Sequence, residues 1–220
     1  MSKLEDVLVP ATPEYSREEE MASAISHAIG FLGVLASGPL LIVKAIENSS
    51  AWGQAGILFY IFSLLGMFGF STIYHAATST WSKMALKKAD HIAIYFLISG
   101  SYAALITNRL WNEDGYPYVI SLFSMSLLGI WFKAMYVHRF KVFSTMIYIF
   151  MGYIMLFDPF LFFDALSYWP KRLLVLGGAF YTVGAGFYLW KKLKWSHVVW
   201  HFFVLFAAAA HFAAFIIELS

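Results

Sequence analysis

Residues 196–219 read SHVVWHFFVLFAAAAHFAAFIIEL, and no Asp, Glu, Lys or Arg interrupts the run between His197 and Ile217. A helix needs ~20 apolar residues to cross the hydrocarbon core of a bilayer. The stretch therefore predicts a transmembrane helix over 197–219. Working outward from it, comparable runs at 171–190, 142–157, 116–136, 91–107, 52–77 and 23–43 predict six more spans. The run at 142–157 is the weakest, because it is short and Asp158-Pro159 reads as a stop: proline cannot continue the hydrogen-bond ladder. All the runs are too continuous for the alternating strands of a membrane β-barrel. The expected fold is all-α, a bundle of seven transmembrane helices over residues 21–220, preceded by a cytoplasmic tail, residues 1–20.

Composition agrees. Of 220 residues, 60% are hydrophobic, 20% aromatic and only 13% charged. A soluble domain of this size has too little interior for that much apolar surface. The chain has no cysteine, which excludes disulfides, thiolate catalysis and thiolate metal sites. The first twenty residues are acidic and polar, so no cleaved signal peptide is expected and the first span acts as the targeting signal. The chain reads as one domain without repeats. Gly177, Gly178, Gly184 and Gly186 are expected to allow close helix packing. Trp52, Trp81, Trp111, Trp169 and Trp195 flank the spans as interfacial anchors.

Charge sets the orientation. Lys83, Lys87 and Lys88 lie between the second and third spans, and Arg139 and Lys141 between the fourth and fifth, with Lys133 just inside the helix. Lys191, Lys192 and Lys194 lie between the sixth and seventh. These loops share one side with the N-terminus. The other side carries Lys44, Arg109, Lys171 and Arg172, diluted by Glu47, Glu113, Asp114, Asp158 and Asp164. The excess of Lys and Arg places the first side in the cytoplasm, so the C-terminus is expected outside. Lys83, Lys87 and Lys88 read as determinants of topology rather than as a headgroup site.

Ionisable groups inside a span are costly and mark function. Ser71 and His75 lie four apart near the end of the second span, Asp90 and His91 open the third, and His197 and His201 lie four apart at the start of the seventh. Each pair four apart shares one helical face. The topology brings all of them to one depth at the cytoplasmic side. A single His on a helix usually packs or hydrogen-bonds, and pairs four apart arise by chance. Three imidazoles and a carboxylate at one depth in lipid point instead to a metal. His75, His197 and His201 offer three nitrogens, and three protein ligands with one open position is the arrangement of catalytic zinc. Imidazole also suits copper, iron and nickel; the lack of thiolates favours zinc. Asp90 is then free to hold water at the metal. His211 lies ten residues beyond His201, ~15 Å along the axis, too far to bind the same ion but close enough to line a shared cavity. His27 is a candidate supporting or substrate-contacting residue, His138 an interfacial one, and His91 faces away from Asp90.

These residues carry a family resemblance. Ser71-Thr72-Ile73-Tyr74-His75, Asp90-His91-Ile92-Ala93-Ile94-Tyr95 and Ser196-His197-Val198-Val199-Trp200-His201 resemble the Ser-xxx-His, Asp and His-xxx-His motifs of the hemolysin III family. That family is the bacterial branch of the progestin and adipoQ receptor superfamily, with the adiponectin receptors as relatives. Phe132-Lys133 and His138-Arg139-Phe140-Lys141 look like the bacterial branch. Glu20-xx-Ser23-xx-Ser26-His27 resembles a further motif, with Ser23 in place of its usual Asn. The resemblance implies seven spans with a cytoplasmic N-terminus, a location in the bacterial inner membrane, zinc held by His75, His197 and His201, and Asp90 near water at the zinc. The superfamily is similar to alkaline ceramidases, which cleave lipid amides with the same residue set.

The leading expectation is a zinc-dependent intramembrane hydrolase of lipid amides or esters, influencing membrane lipid state. In it Asp90 is the general base and Ser71 orients the water or Asp90, and a membrane lipid or fatty-acyl ligand is the partner, with no role for nucleic acid. The alternative is a non-enzymatic sensor or regulator of lipid homeostasis with structural zinc. A channel or pore-forming hemolysin fits less well, because it needs a continuous polar path and the polar groups gather at one end.

Overall fold

The computed structural model describes residues 15–137 and 139–220. Most of the expected tail and the expected interfacial role of His138 lie outside the described residues. Among the described residues every regular element is helical. They are α1 (Arg17–Asn48), α2 (Ala51–Ala76), α3 (Thr80–Arg109), α4 (Tyr116–Tyr136), α5 (Lys141–Gly152), α6 (Pro159–Asp164), α7 (Tyr168–Leu189) and α8 (Ser196–Glu218), with a 3₁₀ turn at Ile154–Phe157. Six of them, α1 to α4, α7 and α8, are long and apolar enough to cross a membrane. The chain is a multi-pass membrane protein.

Local chemistry sets the boundaries. Ser16 and Glu19 form a reciprocal capping box at the start of α1, which satisfies two orphan N–H groups. Ser50 accepts from Gly53 N–H to open α2. Trp195, just before α8, sits at φ 65°, a strained conformation for a bulky residue. Its N–H donates to Glu19 Oε1 at 2.7 Å, so the first helix holds the turn that starts the last.

The elements form an up-and-down bundle whose two ends can be read from contacts. At one end Glu20 of α1 meets His75 of α2 and Lys83 of α3, and Tyr188 of α7 meets His91 of α3. At the other, the Arg109 guanidinium of α3 pairs with Glu218 of α8 at 2.5 Å. The second Glu218 oxygen accepts from Ser167 N–H, beside the start of α7. Asn48 of α1 donates to Leu219 O at 3.1 Å, and Ser49 donates to Asn108 of α3 at 2.6 Å.

Small residues bring the helices together. A Cβ on Gly56 would fall 2.8 Å from the Ala103 carbonyl oxygen, and one on Gly100 3.2 Å from Tyr60 Cα, so α2 and α3 pack backbone to backbone. Ser99 and Ser126 share a 2.5 Å hydrogen bond between α3 and α4. The expected glycine stripe of α7 is corrected in part. Gly177 and Gly184 do face α8, against His211 and against Trp200 and Phe203, but a Cβ on Gly178 or Gly186 would meet nothing within 4 Å. The periphery is apolar: Leu32, Phe62, Leu127, Leu128, Trp131 and Phe160 are all more than 60% exposed, which is the surface a lipid environment selects.

The region of the expected fifth span is also corrected. Its α-helix ends at Gly152, earlier than Asp158-Pro159. Asp158 ends the 3₁₀ turn, as the stop predicts, and also opens α6: its carboxylate accepts from Leu161 N–H at 3.1 Å, with Pro159 in the first turn. The broken segment runs alongside α3. Tyr148 O–H donates to the His91 carbonyl, Tyr102 O–H donates to the Gly152 carbonyl, and Phe162 packs on Tyr102 and Tyr118.

Candidate metal centre

His75 closes α2, and His197 and His201 occupy the first turns of α8; all three are buried. His75 Nε2 lies 3.2 Å from His197 Nε2, which lies 3.1 Å from His201 Nε2. The three donor atoms fall within 4.8 Å of one another. The residues that the sequence brought to one depth thus meet at one point, 122 residues apart along the chain for His75 and His197.

The donor chemistry fits a cation. A neutral imidazole carries one N–H and one lone pair. Glu20 Oε2 sits 2.6 Å from His75 Nδ1. A carboxylate can only accept, so the proton belongs on Nδ1 and the Nε2 lone pair points into the cluster. Tyr15 O–H lies 3.2 Å from His197 Nδ1, and its ring stacks on that imidazole at 4.4 Å. His197 Nε2 has an imidazole nitrogen on each side, and a single N–H cannot serve both. A metal ion would satisfy all three lone pairs at once. The carboxylate on His75 matches the outer support that metal-ligating histidines generally have, which fixes the tautomer and raises basicity. Lys83 Nζ, 2.6 Å from Glu20 Oε1, holds that carboxylate from the far side.

Asp90 is not one of the three clustered donors. Its side chain is 15% exposed, and Oδ2 lies 3.3 Å from His91 Nδ1. Ser71 is buried, one turn before His75. Through His91 and Tyr188 the carboxylate lies at the same end of the bundle as the imidazole cluster, on a third helix.

The remaining histidines separate clearly. His27 is buried, with its ring 3.8 Å from that of His201 and both nitrogens without a hydrogen-bond partner among the described residues. His91 reaches Tyr188 at 3.2 Å and the Lys87 carbonyl at 2.8 Å, and it also touches Asp90, so it faces away less completely than its position on the helix suggests. His211 binds the Leu174 carbonyl at 3.1 Å and packs across Gly177. It serves the α7–α8 contact.

Two members of the centre were missed by sequence reasoning. Glu20 appears in a quoted motif without a role, and Tyr15 lies in what reads as a tail. The one available signal was a glutamate at the mouth of a span, on the side where the histidines gather.

A family model described as haemolysin-III related matches residues 15–212. The chain is 37% identical over 198 residues to the hemolysin-3 homolog of Bacillus subtilis, covering 90% of this chain and 93% of that protein. It is 33% identical over 195 residues to the hemolysin-3 of Bacillus cereus, covering 89% of each. It is 27% identical over 191 residues to the human monocyte to macrophage differentiation factor, covering 79% of this chain and 78% of that protein.

Proposed function

The chain belongs to the haemolysin-III-related family, and from that premise we propose that it is a zinc-dependent hydrolase of lipid amides or esters in the bacterial inner membrane. One observation carries the reading: three imidazole Nε2 atoms converge at a buried point, braced by a carboxylate on His75, with Asp90 at the same end of the bundle but outside the donor set.

In this reading His75, His197 and His201 hold the ion. A zinc ion there supplies Lewis acidity toward a carbonyl and acidifies water. Asp90 accepts a proton on its carboxylate and returns it to the leaving amine or alcohol. Ser71 orients that carboxylate. Glu20 and Tyr15 fix the rings of His75 and His197. Among the described residues no fourth His, Asp or Glu completes the donor group, which matches the three-ligand pattern of a catalytic rather than a closed site. A regulator with structural zinc draws on a different observation, that the cluster joins α2 to α8 and, through Glu20, to α1.

The same reading takes the segment 141–164 as a seventh crossing. Its contacts progress from His91 to Tyr102 to Tyr118, and its helical pieces sum to ~35 Å if laid end to end. With seven crossings and the Lys/Arg bias, the N-terminus is cytoplasmic and the C-terminus external.

The deciding experiment is Asp90→Ala in purified protein and in a complemented deletion strain. The hydrolase predicts a folded, zinc-loaded variant whose turnover on a panel of lipid amides and esters falls ~10²-fold or more. Full function in Asp90→Ala, with no turnover of any lipid by the wild type, refutes it in favour of the clamp.

A further inference from the structure

Two of the three clustered imidazoles are supported from behind. His75 Nδ1 meets Glu20, and His197 Nδ1 meets the Tyr15 hydroxyl. His201 is different. Its Nε2 faces the cluster, 3.1 Å from His197 Nε2, so with a metal on Nε2 its proton must sit on Nδ1. That nitrogen is buried with no hydrogen-bond partner among the described residues. A ligating histidine almost always gives this N–H to a carboxylate, a carbonyl or a water, and a buried donor left unmet is costly.

The polar atoms beside it are unmet too. The His27 ring of α1 lies 3.8 Å from the His201 ring, with the planes 35° apart. Both His27 nitrogens lack a partner among the described residues, and so does the Ser23 hydroxyl, one turn earlier on the same face of α1. Ser23, His27 and His201 are each no more than 3% exposed. Four orphan polar atoms thus gather between α1 and α8. Direct pairing does not satisfy them. A hydrogen bond to an imidazole nitrogen runs close to the ring plane, and two rings lying face to face aim their nitrogens past each other. The Ser26 hydroxyl is spent on the Ser23 carbonyl at 2.8 Å. That carbonyl leans toward His201, but Nδ1 makes no well-formed hydrogen bond to it. Phe68 of α2 meets His27 edge to face at 5.2 Å and offers no polar atom.

We infer that Ser23 and His27 hold a buried water against His201 Nδ1, and that this water is the outer support of the third imidazole. A buried water needs two to four polar partners. Here it accepts from His201 Nδ1–H, donates to the His27 lone pair and shares a bond with the Ser23 hydroxyl. His27 is not one of the clustered donors. It is a positioning residue that acts on the metal only through His201, by fixing the tautomer and the ring. The inference rests on the metal centre proposed above and holds whether that centre is hydrolytic or a clamp.

The test is zinc affinity of the full-length protein in detergent, by competition with a fluorescent chelator, with the visible spectrum of the cobalt-loaded protein as a second readout. His27→Phe keeps a ring against His201 and Phe68 but removes both nitrogens. It should weaken zinc ~10–100-fold, the scale for lost outer support of a ligand, and shift the cobalt bands. His27→Asn sets an amide where Nδ1 stood and His27→Gln where Nε2 stood, and one of the two should recover most of the loss. Ser23→Ala should weaken zinc ~3–10-fold, the scale of one neutral hydrogen bond. Because the water is lost only once, Ser23→Ala/His27→Phe should match His27→Phe within ~2-fold. A folded His27→Phe protein that binds zinc like wild type, while His75→Ala does not bind it, overturns the inference and leaves the centre standing. Losses that simply add overturn it as well, as does recovery by neither amide. If His27→Phe does not fold, Ser23→Ala decides, and wild-type affinity there overturns the inference. Wild-type protein that holds no zinc overturns the centre itself, and the support falls with it.

Discussion

Removing the Glu20 carboxylate tests the centre where sequence reasoning was blind. The bond from His75 Nδ1 to Glu20 is 2.6 Å, with the histidine side chain fully buried and the glutamate 13% exposed. It is charge-assisted and largely shielded from water. A hydrogen bond to a charged group contributes about 1.5–3 kcal/mol, equivalent to a ~10–100-fold change in an equilibrium constant. Supporting residues of metal-bound histidines show the same range of effect on affinity. Glu20→Ala should therefore weaken zinc ~10–100-fold, read by competition with a fluorescent chelator in detergent. Glu20→Gln keeps an acceptor for Nδ1–H but loses the charge; charge-assisted bonds are about twice as strong as neutral ones, so its loss should be intermediate. Lys83→Ala should leave affinity within ~3-fold, because Lys83 is 30% exposed and touches only the outer oxygen. A folded Glu20→Ala protein that binds zinc as tightly as wild type refutes the assignment of this carboxylate as the brace of a metal ligand.

His75→Ala, His197→Ala and His201→Ala should each lose zinc by elemental analysis of purified protein, while His211→Ala keeps it, because His211 is spent on Leu174; stoichiometric zinc in His197→Ala/His201→Ala would remove the basis for the centre. Reporter fusions after Ser220 and in the loop at 191–194 should report opposite sides of the membrane, and matching readings would rule out an odd number of crossings.

Much of the bundle is legible in the sequence because lipid imposes a one-dimensional rule: long apolar runs must be helices. Depth is legible for the same reason, and it predicted that His75, His197 and His201 would be neighbours. Direction around a helix is less legible. Gly178 and Gly186 look like Gly177 and Gly184 until the facing helix is known. The stop read at Asp158-Pro159 is also the start of α6, since Asp-Pro serves both purposes, and the break at Tyr153 has no proline to mark it. Glu20 and Lys133 escaped because a charged residue at the end of a span reads as wet. Only packing shows that one braces a histidine and that the other is enclosed.

The joining of first and last helices also bears on when the protein comes into being. Glu19 and Glu20 of α1 hold Trp195 and His75, and two of the three clustered imidazoles arrive only with α8. Chains emerge from the ribosome N-terminus first. A nascent chain that has threaded α1 to α7 into the bilayer holds one imidazole of the three and has no completed centre. The cluster is complete only once the chain has been made as far as His201, so products that stop short of α8 lack two of its three imidazoles.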